Sequence, residues 1–190
     1  MRLILASSSP YRKAMLERLG LPFEAISPNV DESPLPGEAP GDLALRLSVA
    51  KARAVAEKQP DAVVIGSDQV ATLDGTLLGK PGSFEAAQAQ LRRLSGSTAT
   101  FHSGLCVVKG SFLQADDILT HCRFRELTPA EIDNYLRRDE PFDTAGSAKA
   151  ESLGIALLES LRSDDPTAIV GLPLIALTSM LRAAGLNPLG

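Results

Sequence analysis

Residues 62–78 read AVVIGSDQVATLDGTLL, and the organisation of the chain follows from how that stretch is parsed. The run AVVIG at 62–66 is apolar without interruption and is flanked by turn signals. A strand covered on both faces has this pattern, because neither face needs polar side chains to meet water. The reading is a central strand that ends at Ser67 and Asp68. Val70 to Leu73, Asp74-Gly75 and Thr76 to Leu78 then predict a hairpin closed by a type I′ turn, since Asp-Gly tolerates the positive φ angles such a turn needs. Asp68 is the residue of note. A carboxylate directly after a buried strand needs a partner, a metal or a cleft, because burying it unpaired costs several kcal/mol.

Toward the N-terminus, residues 41–58 carry Leu43, Leu47, Ala50 and Ala54 at helical spacing, a stripe suited to packing on a sheet. Before it come RLILA at 2–6, a buried strand, and FEAIS at 23–27, a second strand, then a loop rich in proline and acid from Pro28 to Pro40. Ser9 suits an N-cap, Pro10 a first helical position and Gly20 a stop for a helix ending near Leu19. Toward the C-terminus, Ser83 to Leu94 reads as a helix, and TFHSGLCVV (100–108) and ILTHCRFR (118–125) as an antiparallel pair joined near Gly110. Thr128, Pro129 and Glu131 form a capping box opening another helix. LGIALLESL (153–161) and AIVGLP (168–173) can each supply strand residues, and Pro173 to Ala184 is a closing helix. With no repeat and no linker in 190 residues, the expectation is one α/β domain, a mixed sheet with helices on both sides.

Composition narrows the function. A formal net charge of -4 and a pI near 5.2 leave no broad basic field for polymeric nucleic acid or an anionic membrane. Leu3 to Ala6 is too short for a signal segment, and no stretch approaches the ~20 apolar residues of a membrane span. Cys106 and Cys122 show neither disulfide-framework nor zinc spacing, which fits a reducing, cytoplasmic setting.

Phosphate chemistry, if present, is therefore local. The Ser7-Ser8-Ser9 loop joins a strand to a helix start, where free N–H groups attract anions, and Arg12 lies in that first turn together with Lys13. Asp31, Glu32 and Asp68 suit a Mg²⁺ held through one or two carboxylates, and Lys51 and Lys80 suit phosphate oxygens. Taken singly, each also fits an ordinary role as serine cap, solvated turn or surface lysine. The GKP at 79–81 is not a P-loop. His102, His121 and Cys106 read as structural, and Asp164-Asp165-Pro166 as a turn.

Taken together, LILASSSPYR at 3–12, DES at 31–33, GSDQV at 66–70, GKP at 79–81 and AGSAKAESLGI at 145–155, closed by VGLPL and NPL, resemble the Maf family along nearly the whole chain. The resemblance implies a nucleoside-triphosphate pyrophosphatase with a two-lobed α/β fold and a central cleft, related to the inosine-triphosphate pyrophosphatases. It also implies a homodimer and a divalent cation, Mg²⁺ or Mn²⁺. Family roles fall on Ser8, Arg12, Lys51 and Lys80 for the phosphates and on Glu32 and Asp68 for the metal. Asp68 also holds the catalytic water, as general base or as metal ligand alone. Ser7 and Asp31 stand beside these positions. The family's dTTP and UTP branch has Arg after SSSP, SADT in place of GSDQ, and a late Gln. Tyr11, Gln69 and Glu151 here resemble the 7-methyl-GTP branch instead, with Tyr11 where that branch often has Trp. Turnover of dTTP or UTP, or a nucleotide-binding regulator of cell division without turnover, are the competing expectations.

Overall fold

The computed structural model describes residues 1–190. The strands and helices in chain order are β1 (Arg2–Ala6), α1 (Pro10–Glu17), β2 (Glu24–Ala25), α2 (Pro40–Ala56), β3 (Ala62–Leu73), β4 (Thr76–Leu78), α3 (Phe84–Leu94), β5 (Thr98–Lys109), β6 (Phe112–Phe124), α4 (Pro129–Asp139), β7 (Leu158–Arg162) and α5 (Leu174–Ala183). The caps read from sequence are present. Ser9 Oγ accepts from the Arg12 N–H, and Thr128 and Glu131 form the reciprocal capping box.

Three expectations are corrected. The central strand does not stop at Asp68: β3 runs on to Leu73, because β5 pairs with it from Val64 to Leu73 and supplies backbone partners through the polar residues. FEAIS contributes only Glu24 and Ala25, an exposed edge pair against Ile4 and Leu5. AIVGLP is not a strand. Ala168–Val170 is a single 3₁₀ turn ended by Gly171 at φ 113°, and its carbonyls bond to side chains instead of to a ladder. In LGIALLESL, a 3₁₀ turn over Leu153–Leu157 precedes β7.

The sheet order is β2-β1-β3-β5-β6-β7, with β4 also on β3. β1 is parallel to β2 and β3, and every other pairing is antiparallel. One edge of β3 belongs to β5. On the other edge β1 pairs with Ala62 to Gly66 and β4 with Ala71 to Leu73, so Ser67 to Val70 has no strand beside it there. The sheet forks at that gap. The fork divides the molecule into two lobes and opens the central cleft between them.

Alternation along β3 sorts the layers. Val63 and Ile65 join Leu3, Leu5, Leu16 and Leu177 in a core under α1 and α5. Ala71 and Leu73, on the same face, join Leu91, Leu94, Phe101, Phe124 and Leu136 under α3 and α4. Ala62 and Val64 face the other way, against Ala52 and Val55 of α2, and Val70 meets Leu43 and Leu47 further along that helix. Helix α2 packs unusually close. A Cβ at Gly66 would overlap the Ser48 carbonyl, and one at Gly104 that of Ala44. No helix is long and apolar enough to cross a membrane.

Gly66→Ala must therefore push α2 off the sheet, and overpacking of this kind costs about 1 to 3 kcal/mol, several degrees in Tm for a chain this size. Thermal unfolding is expected to show that drop for Gly66→Ala and almost none for Gly79→Ala, where an added Cβ meets nothing within 4 Å.

Candidate active site

The close approach of α2 carries Lys51 onto the fork. Its Nζ lies 2.6 Å from Asp68 Oδ1 and 2.8 Å from Glu32 Oε1, with the Lys51 and Asp68 side chains only 7% and 11% exposed. Glu32 reaches in from the acidic loop and stays 59% exposed. A clamp holds that loop. Arg46 on α2 donates to both Glu38 oxygens, at 2.5 and 2.8 Å, and to the Ser33 carbonyl at 3.0 Å. The Arg46 hydrogen bonds, with help from the Leu35 N–H, hold the Glu38 carboxyl down at about 2. Asp31 departs from expectation: its Oδ1 accepts from the Ser33 N–H in a local turn, and it does not line the cleft.

Opposite the carboxylates stands the serine loop. Ser7 Oγ accepts from the Ser9 N–H at 3.1 Å, which folds the loop back at the start of α1. Arg12 Nε donates to the Gly171 carbonyl at 2.9 Å, and its two terminal nitrogens meet no protein acceptor. Burial lowers the Arg12 pKa, and the charges of Asp68 and Glu32 pull it partly back. A guanidinium so anchored presents a ready fork to an anion. Ser8, exposed and without a protein partner, and Lys80, exposed beyond β4, complete a cleft of about 330 Å³.

Around the edge of β3 this cleft adjoins a second cavity of about 180 Å³, with Ser9, Arg12, Gln69, Lys80 and Ala145 common to both. Tyr11 and Glu151 line the second cavity. Gln69 points to the opposite face of β3 from Asp68. Its Nε2 donates to the carbonyls of Ala168 and Ile169, at 3.0 and 3.2 Å, and to Ser103 Oγ at 3.2 Å. Carbonyl partners fix the amide orientation, so only Oε1, an acceptor, is left for a ligand. Glu151, exposed at the rim of the cavity, is an acceptor too, and partial loss of solvent there raises its carboxyl pKa. Tyr11 Oη donates to Asp143 Oδ2 at 3.1 Å, and Lys149 Nζ lies 3.6 Å from Asp143 Oδ1 and 5.9 Å from the Tyr11 ring centre.

All the named site positions, Ser8, Tyr11, Arg12, Glu32, Lys51, Asp68, Gln69, Lys80 and Glu151, thus line the two joined cavities. His102 pairs with Asp117 and His121 with Thr100, both outside them. Sequence reasoning missed the Gly171 carbonyl, the Arg46–Glu38 clamp and Asp143. It also took Asp165 for part of a simple turn. That side chain, 3% exposed, accepts from Thr167, Ile175 and Ala176, and so fixes the loop whose carbonyls hold Arg12 and Gln69.

A serine-rich loop faces a carboxylate–lysine cluster across the forked sheet, and the family model for the Maf-like protein matches residues 2–184. The chain belongs to the Maf family. It is 69% identical to the 7-methyl-GTP pyrophosphatase of Bordetella pertussis (strain Tohama I), over 99% of this chain and 94% of that one. Identity is 60% with the protein of the same name from Cupriavidus pinatubonensis, over 97% and 94%. Among solved structures, the Ham1 protein of Staphylococcus aureus aligns with a TM-score of 0.49 at 14% identity, covering 66% of this chain and 73% of that one.

The buried pair at the fork has unequal halves. Lys51→Met leaves two carboxylates converging with no cation, a loss of about 3 kcal/mol, whereas Asp68→Asn keeps the size and leaves Lys51 its Glu32 partner, at about 1 kcal/mol. Urea unfolding of the two variants is expected to rank them in that order.

Proposed function

We propose that this chain is a nucleoside-triphosphate pyrophosphatase that hydrolyses 7-methyl-GTP to 7-methyl-GMP and diphosphate. The observation that carries the reading is a pair of acceptors in the second cavity, Glu151 and Gln69 Oε1, set around the strand edge from a cleft lined by Arg12, Lys51 and Lys80. Glu151 and Gln69 Oε1 can accept from the N1–H and exocyclic amine of guanine. A pyrimidine without that donor pair leaves them unsatisfied, at about 1 to 3 kcal/mol. Methylation at N7 gives the base a positive charge, and a cation over an aromatic face gains roughly 0.5 to 2 kcal/mol, which Tyr11 is placed to supply. The similar proteins named 7-methyl-GTP pyrophosphatases support the same reading.

In this reading the nucleotide straddles the free edge of β3, phosphates on the Asp68 side and base on the Gln69 side. Ser8, Arg12, Lys51 and Lys80 bind the triphosphate, and Arg12 takes phosphate oxygens with its two terminal nitrogens. Water attacks the α-phosphorus, the bond to the bridging oxygen of the β-phosphate breaks, and diphosphate leaves with that oxygen. Asp68 orients the water and takes its proton or holds its oxygen in line. Arg12 and Lys80 offset the charge growing on the leaving group.

A divalent cation belongs to the proposal. Glu32 and Asp68 each give one oxygen to the Lys51 ammonium and keep the other, Oε2 and Oδ2, without a protein partner, and no group of three ligating side chains surrounds them. That donor set fits Mg²⁺ or Mn²⁺, which take their remaining ligands from phosphate oxygens and water. When bound there, the cation supplies further charge neutralisation at the phosphates.

Two measurements test this. Phosphate release, read with added inorganic pyrophosphatase on 7-methyl-GTP, GTP, dTTP and UTP, is expected to be fastest on the first, and Glu151→Gln is expected to cost it about tenfold more than UTP. Equal rates on all four, or equal losses, refute the base assignment. No diphosphate from any of them would favour a binding protein. Separately, EDTA is expected to stop hydrolysis and Mg²⁺ or Mn²⁺ to restore it; full activity in excess chelator rules out the cation.

A further inference from the structure

Asp143 has no place in the reading so far, yet it lines the second cavity and bonds to the residue that would stack on the base. It lies in the stretch after α4, 132 positions along the chain from Tyr11, so the Tyr11–Asp143 hydrogen bond spans the two lobes. Lys149 is its other neighbour. The ammonium sits 3.6 Å from Asp143 Oδ1, donates to the Asp139 carbonyl at 3.3 Å, and stands 5.9 Å from the centre of the Tyr11 ring.

That arrangement poses a problem for a cationic base. Lys149 already presents positive charge to the aromatic ring, and a second cation brought to that ring is repelled by it. Asp143 offsets that charge and, by accepting from Tyr11 Oη, also fixes the ring. The other charges facing the cavity are Glu151, anionic, and Arg12 and Lys80, which sit on the side shared with the phosphate cleft and answer the triphosphate. At the base end, the balance between attraction and repulsion of a positive ring therefore rests on Asp143 and Glu151, with Asp139 behind them, against Lys149.

We infer that Asp143 is a specificity-determining residue for the N7-methylated base, which it favours by cancelling the Lys149 charge beside Tyr11 and anchoring the Tyr11 hydroxyl. The inference rests on the proposed function and deepens it. It assigns discrimination between a cationic and a neutral purine, chemically identical at the edge read by Glu151 and Gln69, to a charge pair behind the stacking ring.

The test is the ratio of kcat/KM on 7-methyl-GTP to kcat/KM on GTP. Asp143→Asn keeps an acceptor for the tyrosine and removes only the charge. It is expected to lower the ratio about three- to tenfold, a screened interaction of unit charges at this range, and mainly through KM for 7-methyl-GTP. Lys149→Gln added to Asp143→Asn removes the charge left unbalanced and is expected to return most of the ratio. Damage to the fold would not be repaired by a second substitution of this kind. A wild type with equal efficiency on the two nucleotides overturns the functional reading, and the inference with it. A wild type that prefers 7-methyl-GTP, with a ratio that Asp143→Asn leaves intact or that Lys149→Gln fails to recover, overturns the inference alone.

Discussion

The site exists because helix α2 touches the sheet where two residues have no side chain. Gly66 and Gly104 lie on adjacent strands beneath the backbone of Ser48 and Ala44, and either Cβ would hold the helix away. At the contact distance that results, a lysine one turn further along reaches a carboxylate in the middle of a strand and is shielded from water while doing so. Burial of that kind is costly to any lone charge, so the lysine and Asp68 hold each other in place. The same helix supplies Arg46, which grips Glu38 and folds the acidic loop so that Glu32 arrives on the third side. Packing, and not the sequence neighbourhood of any one residue, brings the charged groups together.

An acidic protein that handles a highly charged anion must confine its cations. Here Arg12, Lys51 and Lys80 gather around one cleft, Arg12 held by the Gly171 carbonyl, Lys51 by a buried ion pair, and Lys80 exposed just beyond β4. The second cavity shares Arg12 and Lys80 with that cleft, and its far end is lined by the Asp143 and Glu151 carboxylates, the Gln69 amide and the Tyr11 phenol. Because both open onto the unpaired edge of β3, residues that alternate to opposite faces of one strand, Asp68 and Gln69, can serve different ends of a single ligand.

Much of this was legible in the residues. Ser9-Pro10, Thr128-Pro129-Glu131 and Asp74-Gly75 carry their geometry locally, and the helix starts and the hairpin were read from them; Asp74 and Gly75 do take positive φ. The motifs around Ser8, Glu32, Asp68 and Lys80 picked out residues that line one cleft. The length of β3 was not legible, since Ser67 and Asp68 look like a strand end unless one knows that β5 runs beside them. Nor was the 168–171 turn. Ala-Ile-Val has strand propensity, and only the side chains of Gln69 and Ser103, from distant strands, absorb its carbonyls. Asp143 carried no signal of its own, because its role depends on a tyrosine across the cleft. Asp165 was hidden for a similar reason: two of its four hydrogen bonds, to Thr167, are local and fit a turn, and the two from Ile175 and Ala176 are made only when α5 docks.

β3 and β5 pass from one lobe to the other unbroken, paired at every residue from Val64 to Leu73. A clamp joined by a loop would swing on a few freely rotating bonds. This one has no such joint: its jaws are attached to a continuous ribbon of three strands, β3, β5 and β6, whose soft motion is a change of twist shared among many hydrogen bonds. The gap between the lobes is therefore set by the torsional stiffness of the sheet, and positions along β5 and β6 far from any ligand act as part of the spring.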